Sequence, residues 1–137
     1  SFSLTIRCYH NPGGELLTYS YEKLDVYKLS MAFAHDVYQT VSSFPEYEKF
    51  GLSSQLRRAV ISVPSNIAEG SGRQHKKEYA QFLFLSKGSL REVITQLELS
   101  KMLGYIDQET HEKLRETADR LHRMLNRLIT SLKVAPD

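Results

Sequence analysis

Apolar residues recur every three or four positions in four consecutive segments, the spacing that places them on one face of an α-helix. The segments cover about residues 25–43, 52–70, 76–103 and 108–133. In the last, the apolar residues form a heptad seam: Leu114, Ala118, Leu121, Leu125, Leu128 and Leu132. The connections are short, so consecutive helices must run antiparallel. The pattern predicts an all-α, antiparallel up-and-down four-helix bundle.

Polar residues and glycines mark where these helices should begin and end. Asp25 and Asp107 are expected N-caps, because a carboxylate accepts hydrogen bonds from the free amides of a first turn. Gly104 suits the position just after the third helix, where the backbone commonly becomes left-handed. Gly70 and Gly72 are expected to end the second helix.

Pro64 lies inside the apolar pattern of the second helix. It lacks a backbone N–H and crowds the carbonyl of Val60, so we expect either a kink or a break into two pieces, the second capped by Ser65. Asn66 is placed to hydrogen-bond the carbonyl that Pro64 leaves free, or a neighbouring one.

Residues 1–20 follow a different pattern from the bundle, which we assign to residues 21–137. Phe2, Leu4 and Ile6 alternate with polar residues, as in a short strand. Asn11-Pro12-Gly13-Gly14 then interrupts any regular structure. The segment is either a loose tail or an arm that pairs with a neighbouring subunit.

Charge and cysteine content narrow the function only slightly. Lys and Arg number 18 against 16 Asp and Glu, so the net charge of +2 does not by itself indicate nucleic-acid binding. A single cysteine, Cys8, excludes an intramolecular disulfide and favours the reducing cytoplasm. No apolar run approaches the length of a membrane-spanning helix, so we expect no membrane association.

Residue patterns of catalysis or metal binding are missing from the sequence. No histidine lies three or four residues from another, although metal-binding helices need such pairs. Gly70-Ser71-Gly72 lacks the preceding strand of a phosphate loop. We therefore expect no catalytic residue, metal or cofactor, and a protein that is not an enzyme.

Residues 55–73 combine several polar residues with the proline. Arg57 and Arg58 are adjacent and should point about 100° apart on a helix. Glu69 and Arg73 are spaced to form an ion pair one turn apart. Either these groups tie the second helix to its neighbours, or they line a polar groove for a ligand.

A second group of charges lies on the fourth helix. Arg120, Arg123 and Arg127 fall on one face, away from the leucine seam. Lys87 and Arg91 add positive charge on the third helix. Such a face is usually solvated surface. A row of arginines is also suited to clamp a phosphate backbone.

Several spaced segments carry a resemblance to a known family: Phe50-Gly51-Leu52, Gln55-Leu56-Arg57-Arg58-Ala59, Val63 to Gly70, Tyr79 to Leu83, Gly88-Ser89-Leu90-Arg91-Glu92 and Leu103-Gly104-Tyr105-Ile106. Over residues 24–132 the chain resembles the bacterial four-helix-bundle proteins first noticed as reading frames inside intervening sequences of 23S ribosomal RNA genes. It is also similar to the accessory variability proteins of diversity-generating retroelements, which bind nucleic acid and a reverse transcriptase.

The resemblance implies a ring-shaped homopentamer and association with RNA or the ribosome, and it supplies no catalytic residues. By this analogy the best candidates for nucleic-acid contact are Arg57, Arg58, Arg73, Arg120, Arg123 and Arg127. A motif of Pro64, Asn66, Glu69 and Gly70 is interpreted as structural.

Two helices carry wider apolar faces than one bundle core requires. Beside the main stripes lie Tyr27, Met31, Ala34 and Tyr38 on the first helix, and Phe82, Leu85 and Ile94 on the third. Wide apolar faces indicate subunit contacts, so a homo-oligomer is predicted. The leading hypothesis is an oligomer that contacts RNA or DNA backbone, and the alternative is a protein-interaction scaffold without nucleic-acid binding.

Overall fold

The computed structural model describes residues 19–132, without the side chains of Glu22 and Lys23. Two short 3-10 turns, Ser20–Lys23 and Glu46–Glu48, precede the first and second of four α-helices. The helices are α1 (Asp25–Val41), α2 (Leu52–Ser71), α3 (Lys76–Met102) and α4 (Gln108–Ser131). Of the predicted tail or arm, residues 1–18 lie outside the described part.

Neighbours in sequence are also neighbours in space. α2 packs against α1 and α3, α4 packs against α3 and α1, and α2 and α4 stand diagonally across the bundle. The 3-10 turn at Ser20–Lys23 packs against α1 and α2. The prediction of an all-α four-helix bundle is therefore confirmed.

The predicted apolar stripes meet along the axis of the bundle and form its core. The largest fully buried side chains come from all four helices: Phe33, Val37, Leu56, Val60, Val63, Ile67, Leu83, Leu90, Val93, Leu97, Leu121 and Leu125. Burying each such side chain contributes about 1.5–3 kcal/mol relative to leaving it exposed. Leu128 and Leu132, at the end of the seam, are only partly buried.

α2 and α3 form the most extensive helix pair, and small residues let them approach. A Cβ atom added to Gly70 would lie 2.7 Å from the Cβ of Phe82. Nearby, the buried Ser86 hydroxyl donates a hydrogen bond of 2.7 Å to the Val63 carbonyl. The expectation that Gly70 ends α2 is wrong, because the helix continues to Ser71 and Gly70 serves the close approach instead.

Pro64 lies within a helix that runs without interruption from Leu52 to Ser71. The alternative of two pieces, with Ser65 capping the second, is therefore wrong. The Asn66 side-chain amide donates to the Ser62 carbonyl over 2.7 Å, so it bonds a neighbour of the carbonyl that the proline leaves free. A kink at Pro64 stays a prediction.

The turn between α3 and α4 follows the sequence closely. Gly104 has a φ of +79°, the left-handed conformation that glycine adopts without strain. The Gly104 amide donates to the Lys101 carbonyl and the Tyr105 amide to the Ser100 carbonyl, the bond pattern of a Schellman cap. Asp107 then caps α4 by accepting a 2.8 Å bond from the Thr110 amide.

The start of α1 differs from its prediction. The N-cap is Leu24, and Asp25 is the first helical residue without a capping hydrogen bond. Its carboxylate still lies in the first turn, where a negative charge interacts favourably with the positive end of the helix dipole. The capping expectation for Asp25 was therefore wrong by one position.

Glu48 ties the two loops at one end of the bundle together. One carboxylate oxygen accepts from the Leu52 amide at the start of α2 over 3.2 Å. The other accepts from the Tyr105 hydroxyl over 2.8 Å, and that hydroxyl also lies 3.2 Å from the Tyr47 hydroxyl. These hydrogen bonds raise the pKa of Tyr105, and the bond to Tyr47 has the largest effect.

Candidate functional site

The arginine row of α4 lies on the exposed face of the helix. Arg120, Arg123 and Arg127 are all exposed, while the seam residues Leu121 and Leu125 are fully buried. Within residues 19–132, no carboxylate lies within 4.0 Å of any of the three guanidinium groups. The row is therefore free to bind an anion from outside the chain.

Positive charge continues from α4 onto α3 at His122. Burial lowers the pKa of His122, the charges of Lys87 and Arg91 lower it further, and the carboxylate of Asp119 opposes them. These effects, and a shallow hollow lined by Arg91 and His122, place Lys87 and Arg91 near His122, on the side of α4 that faces α3. Together Lys87, Arg91, Arg120, Arg123 and Arg127 are called the basic face.

The acidic residues of α4 lie in its N-terminal half and offset positive charge there. Asp119 is paired with Arg115 over 2.8 Å, and Glu109 with Lys113 over 3.1 Å. Glu116 stands one turn before Arg120 without forming an ion pair with it. Positive potential is therefore strongest towards the C-terminal half of α4.

The three candidate arginines of α2 have different surroundings from one another. Arg57 is partly buried and donates to the Lys49 carbonyl over 3.4 Å. Arg73 forms the predicted ion pair with Glu69 at 2.8 Å, and its guanidinium lies 4.6 Å from the centre of the Phe82 ring. Only Arg58 is exposed without such a contact among the described residues.

The structure does not bring the two groups of arginines together. The α4 row projects from the helix that stands diagonally opposite α2. A single ligand surface on one copy of the chain therefore cannot use Arg58 and the row at the same point.

A polar groove runs between α2 and α3 on their outer side. It has a volume of about 440 Å³. Its walls are formed by Gln55, Arg58, Ser62, Ser89, Glu92 and Gln96, and Ala59 lies between them. Helical spacing indicated the polar residues of the α2 wall. It did not indicate those of the α3 wall, because local spacing does not show the register between two helices.

An apolar groove lies on the other side of α2, against α1. Its volume is about 670 Å³. It is lined by residues of both helices: Tyr27, Met31, Ala32, Ala34, His35 and Tyr38 of α1 and Ile61, Pro64, Ser65 and Ala68 of α2. The α1 stripe predicted for subunit contact therefore lines one wall.

The second predicted contact stripe, on α3, is only partly at the surface. Leu85 is 58% exposed, whereas Phe82 and Ile94 are half-buried. Phe84, which the prediction omitted, is 55% exposed. The exposed apolar side chains in this part of α3 are thus Phe84 and Leu85, two and three positions after Phe82.

Comparison with known proteins identifies the family. The model of the family described as 23S rRNA-intervening sequence protein matches residues 22–127. The chain belongs to this family. No curated protein sequence matches the chain significantly.

One solved structure is similar to this chain and supports the four-helix fold. It is a Bacteroides thetaiotaomicron protein of unknown function from the S23 ribosomal protein family. The two share 24% sequence identity with a TM-score of 0.69, over 76% of this chain and 97% of the other. At that identity the likeness establishes the helical bundle alone.

Two sequence segments meet in space that both carry the family resemblance. Gln55 to Ala59 on α2 and Gly88 to Glu92 on α3 contribute to the same polar groove.

The described residues offer no group of three or more His, Cys, Asp or Glu side chains that could hold a metal ion. Among the same residues, no helix has both the length and the hydropathy to span a membrane. The chemistry that the described surface presents is ionic contact, amide hydrogen bonding and apolar packing.

Proposed function

We propose that this protein is a non-enzymatic, homo-oligomeric binding protein whose basic face contacts the phosphate backbone of RNA or DNA. The observation that carries the proposal is the exposed row of Arg120, Arg123 and Arg127, free of carboxylates within 4.0 Å among residues 19–132. Lys87 and Arg91 add positive charge near His122 on the adjoining helix α3. The family name supports ribosomal RNA as the first nucleic acid to test.

The arrangement of the row suits a polyanion. Guanidinium groups bind phosphate oxygens through two parallel hydrogen bonds. From Arg120 to Arg127 the row extends about 10 Å along the helix axis, enough to meet successive phosphates. Such contacts release counterions and carry little sequence information, so binding should weaken steeply with salt.

Fluorescence anisotropy of labelled nucleic acids tests the proposal. A 23S-derived RNA hairpin, a matched DNA duplex and a single strand are each titrated from low to physiological salt. We expect Arg120→Ala with Arg123→Ala to reduce the slope of log affinity against log salt by about 1.5, because two phosphate contacts are lost.

Lys113→Ala with Arg115→Ala is the matched control, since it removes the same charge from α4 at residues already paired with carboxylates. An equal loss of slope in both double variants would show a general effect of net charge and contradict the proposal. An absence of binding even at low salt would also contradict it.

A protein-interaction scaffold is the second candidate function. The apolar groove of about 670 Å³ between α1 and α2 favours it, because large apolar surfaces commonly mark protein contacts. We propose that the groove serves self-assembly, with the homopentameric ring implied by the resemblance and a bend of α2 at Pro64 shaping its wall. The cytoplasm is the proposed compartment, on the basis of the single cysteine.

The two candidates differ in how partner binding responds to salt. A scaffold should bind another protein with little dependence on salt and lose that binding when exposed tyrosines or leucines are changed. Nucleic-acid binding should instead weaken steeply with salt and persist when those tyrosines or leucines are changed.

A further inference from the structure

The polar groove presents opposite charges on facing walls. Arg58 belongs to α2 and Glu92 to α3, and both are exposed. Within residues 19–132 neither has an oppositely charged side chain within 4.0 Å. The groove therefore holds an unpaired cation and an unpaired anion with space between them.

The α3 wall of this groove holds hydrogen-bond acceptors that have no donor in the described structure. The Gln96 side-chain N–H donates to the Gln55 amide oxygen over a long 3.4 Å. The Gln96 amide oxygen is buried and accepts no hydrogen bond in the structure. An unsatisfied buried acceptor is costly, and the broad terminal torsion of glutamine lets that oxygen turn towards the groove.

Ser62, on the α2 wall, does not supply a free donor to these acceptors. The Ser62 hydroxyl donates to the Ala59 carbonyl over 2.8 Å, so its proton is already used. The Glu92 carboxylate and the Gln96 oxygen therefore remain as acceptors on the α3 wall, with Arg58 as the cation opposite.

We propose that the polar groove binds one unpaired guanine nucleotide of RNA. Guanine carries a ring N–H and an exocyclic amino group side by side, so it can donate two parallel hydrogen bonds to the Glu92 carboxylate. The second amino hydrogen is available to the Gln96 oxygen. Arg58 is then the partner for the phosphate or for stacking on the base, both of which arginine performs in RNA complexes.

The other bases fit this set of acceptors less well. Adenine and cytosine have an amino group without a neighbouring ring N–H, and uracil has a ring N–H without an amino group. A carboxylate therefore forms the double contact with guanine alone. The groove volume of about 440 Å³ lies in the range of small-molecule sites.

This inference deepens the proposed function and rests on it, because the nucleotide is taken from a bound RNA. The arginine row of α4 is nevertheless separate from the α2 wall of the groove, since those two helices stand diagonally across the bundle. The basic face would supply salt-dependent affinity, and the polar groove would supply base preference.

The test compares single-stranded oligouridines of equal length that carry one central guanosine, adenosine, cytidine or no replacement. Anisotropy should show about tenfold tighter binding of the guanosine oligomer, in the range of one good bidentate base contact. Glu92→Gln should abolish that preference without changing the salt slope. Arg120→Ala with Arg123→Ala should reduce the slope and keep the preference.

Glu98→Gln is the matched control, because Glu98 is an exposed carboxylate of α3 outside the groove. Equal affinity for all four oligomers, or a preference that survives Glu92→Gln, would overturn the guanine site. Unchanged melting temperatures of the variants exclude unfolding as the cause.

Free guanosine monophosphate separates failure of the groove from failure of the proposed function. If no RNA binds, but the nucleotide shifts the side-chain amide NMR signals of Gln55 and Gln96, the groove is a nucleotide site and the RNA-binding proposal is wrong. If RNA binds without base preference and the nucleotide shifts no signals, the groove proposal alone is wrong.

Discussion

Arg73, at the end of α2, is held on two sides by its own bundle. It pairs with Glu69 at 2.8 Å and lies 4.6 Å from the centre of the Phe82 ring. The ion pair was predicted from spacing alone, because residues four apart are neighbours on any helix. The ring contact was not, because Phe82 belongs to another helix. Candidate arginines could be listed from the sequence, but their freedom to bind a ligand could not.

Gly70 offers a sharp test of the close approach between α2 and α3. Gly70→Ala should lower the free energy of unfolding by about 1–3 kcal/mol, because its methyl group would collide with the Cβ of Phe82. Urea denaturation measures the change. Gly88→Ala is the control, since nothing lies within 4 Å of a Cβ there.

In an open helical position alanine is favoured over glycine, so the control should gain about 0.5–1 kcal/mol. The expected result is a change in unfolding free energy of opposite sign in the two variants. A neutral Gly70→Ala would mean that α3 shifts easily and that the contact is not tight.

His122 should make stability depend on pH. Burial, with Lys87 and Arg91, lowers its pKa below the ordinary value of 6.5. As the pH falls below 6.5, the unfolded chain therefore takes up a proton before the folded chain does, and stability decreases until the folded-state pKa is passed. His122→Gln should flatten this part of the profile in denaturation experiments between about pH 5 and pH 8.

His75→Gln, which changes an exposed histidine that makes no side-chain capping bond before α3, is the control for that profile. The same titration followed by NMR with bound RNA adds a second expectation. Phosphates beside Lys87 and Arg91 should raise the pKa of His122, since they offset the charges that lower it. An unchanged His122 titration would place the RNA elsewhere.

At the scale of helices, local signals predicted the ends that depend on local bonds. Asp107 and Gly104 act as expected, because a cap and a left-handed turn involve residues within five positions of each other. Local spacing left open whether α2 would continue through Pro64 or break there, because the packing around a helix can outweigh the preference of one residue. The link from Glu48 to Tyr105 joins residues 57 positions apart, and nothing in local spacing indicates it.

Tyr105→Phe tests whether that link stabilises the end of the bundle. Removing the hydroxyl leaves Glu48 without its 2.8 Å donor, so we expect a loss of about 1 kcal/mol in unfolding free energy. Tyr47→Phe serves for comparison, because Tyr47 is 78% exposed and its bond is longer. Equal losses in both variants would argue against a special role for the Glu48 bond.

At the scale of the whole molecule, the bundle separates three kinds of surface. The basic face lies on α3 and α4, the polar groove between α2 and α3, and the apolar groove between α1 and α2. The sequence predicted each chemistry by helical spacing, but not which helix supplies the second wall of each groove. That information depends on the register between helices, which long-range packing determines.

Assembly is predicted to use the apolar groove. The wild-type chain should be oligomeric by light scattering at micromolar concentration, and Ile61→Asp should shift it towards the monomer, because a carboxylate buried in an apolar contact is costly. Ile61 lines the groove and is 48% exposed in the single chain. Gln81→Glu, an exposed position on α3 outside the groove, should leave the mass unchanged. A monomeric wild-type protein would contradict the prediction outright.

The different surroundings of Arg57 and Arg58 have a consequence for genetics. Arg57 is partly buried and bonded to the Lys49 carbonyl, whereas Arg58 faces the polar groove. In a screen for lost activity, alleles of both neighbouring codons should therefore appear, but for different reasons. Alleles of Arg57 should lower the amount of protein in the cell, since modest destabilisation changes abundance. Alleles of Arg58 should leave abundance normal, so an immunoblot alone would tell the two classes apart.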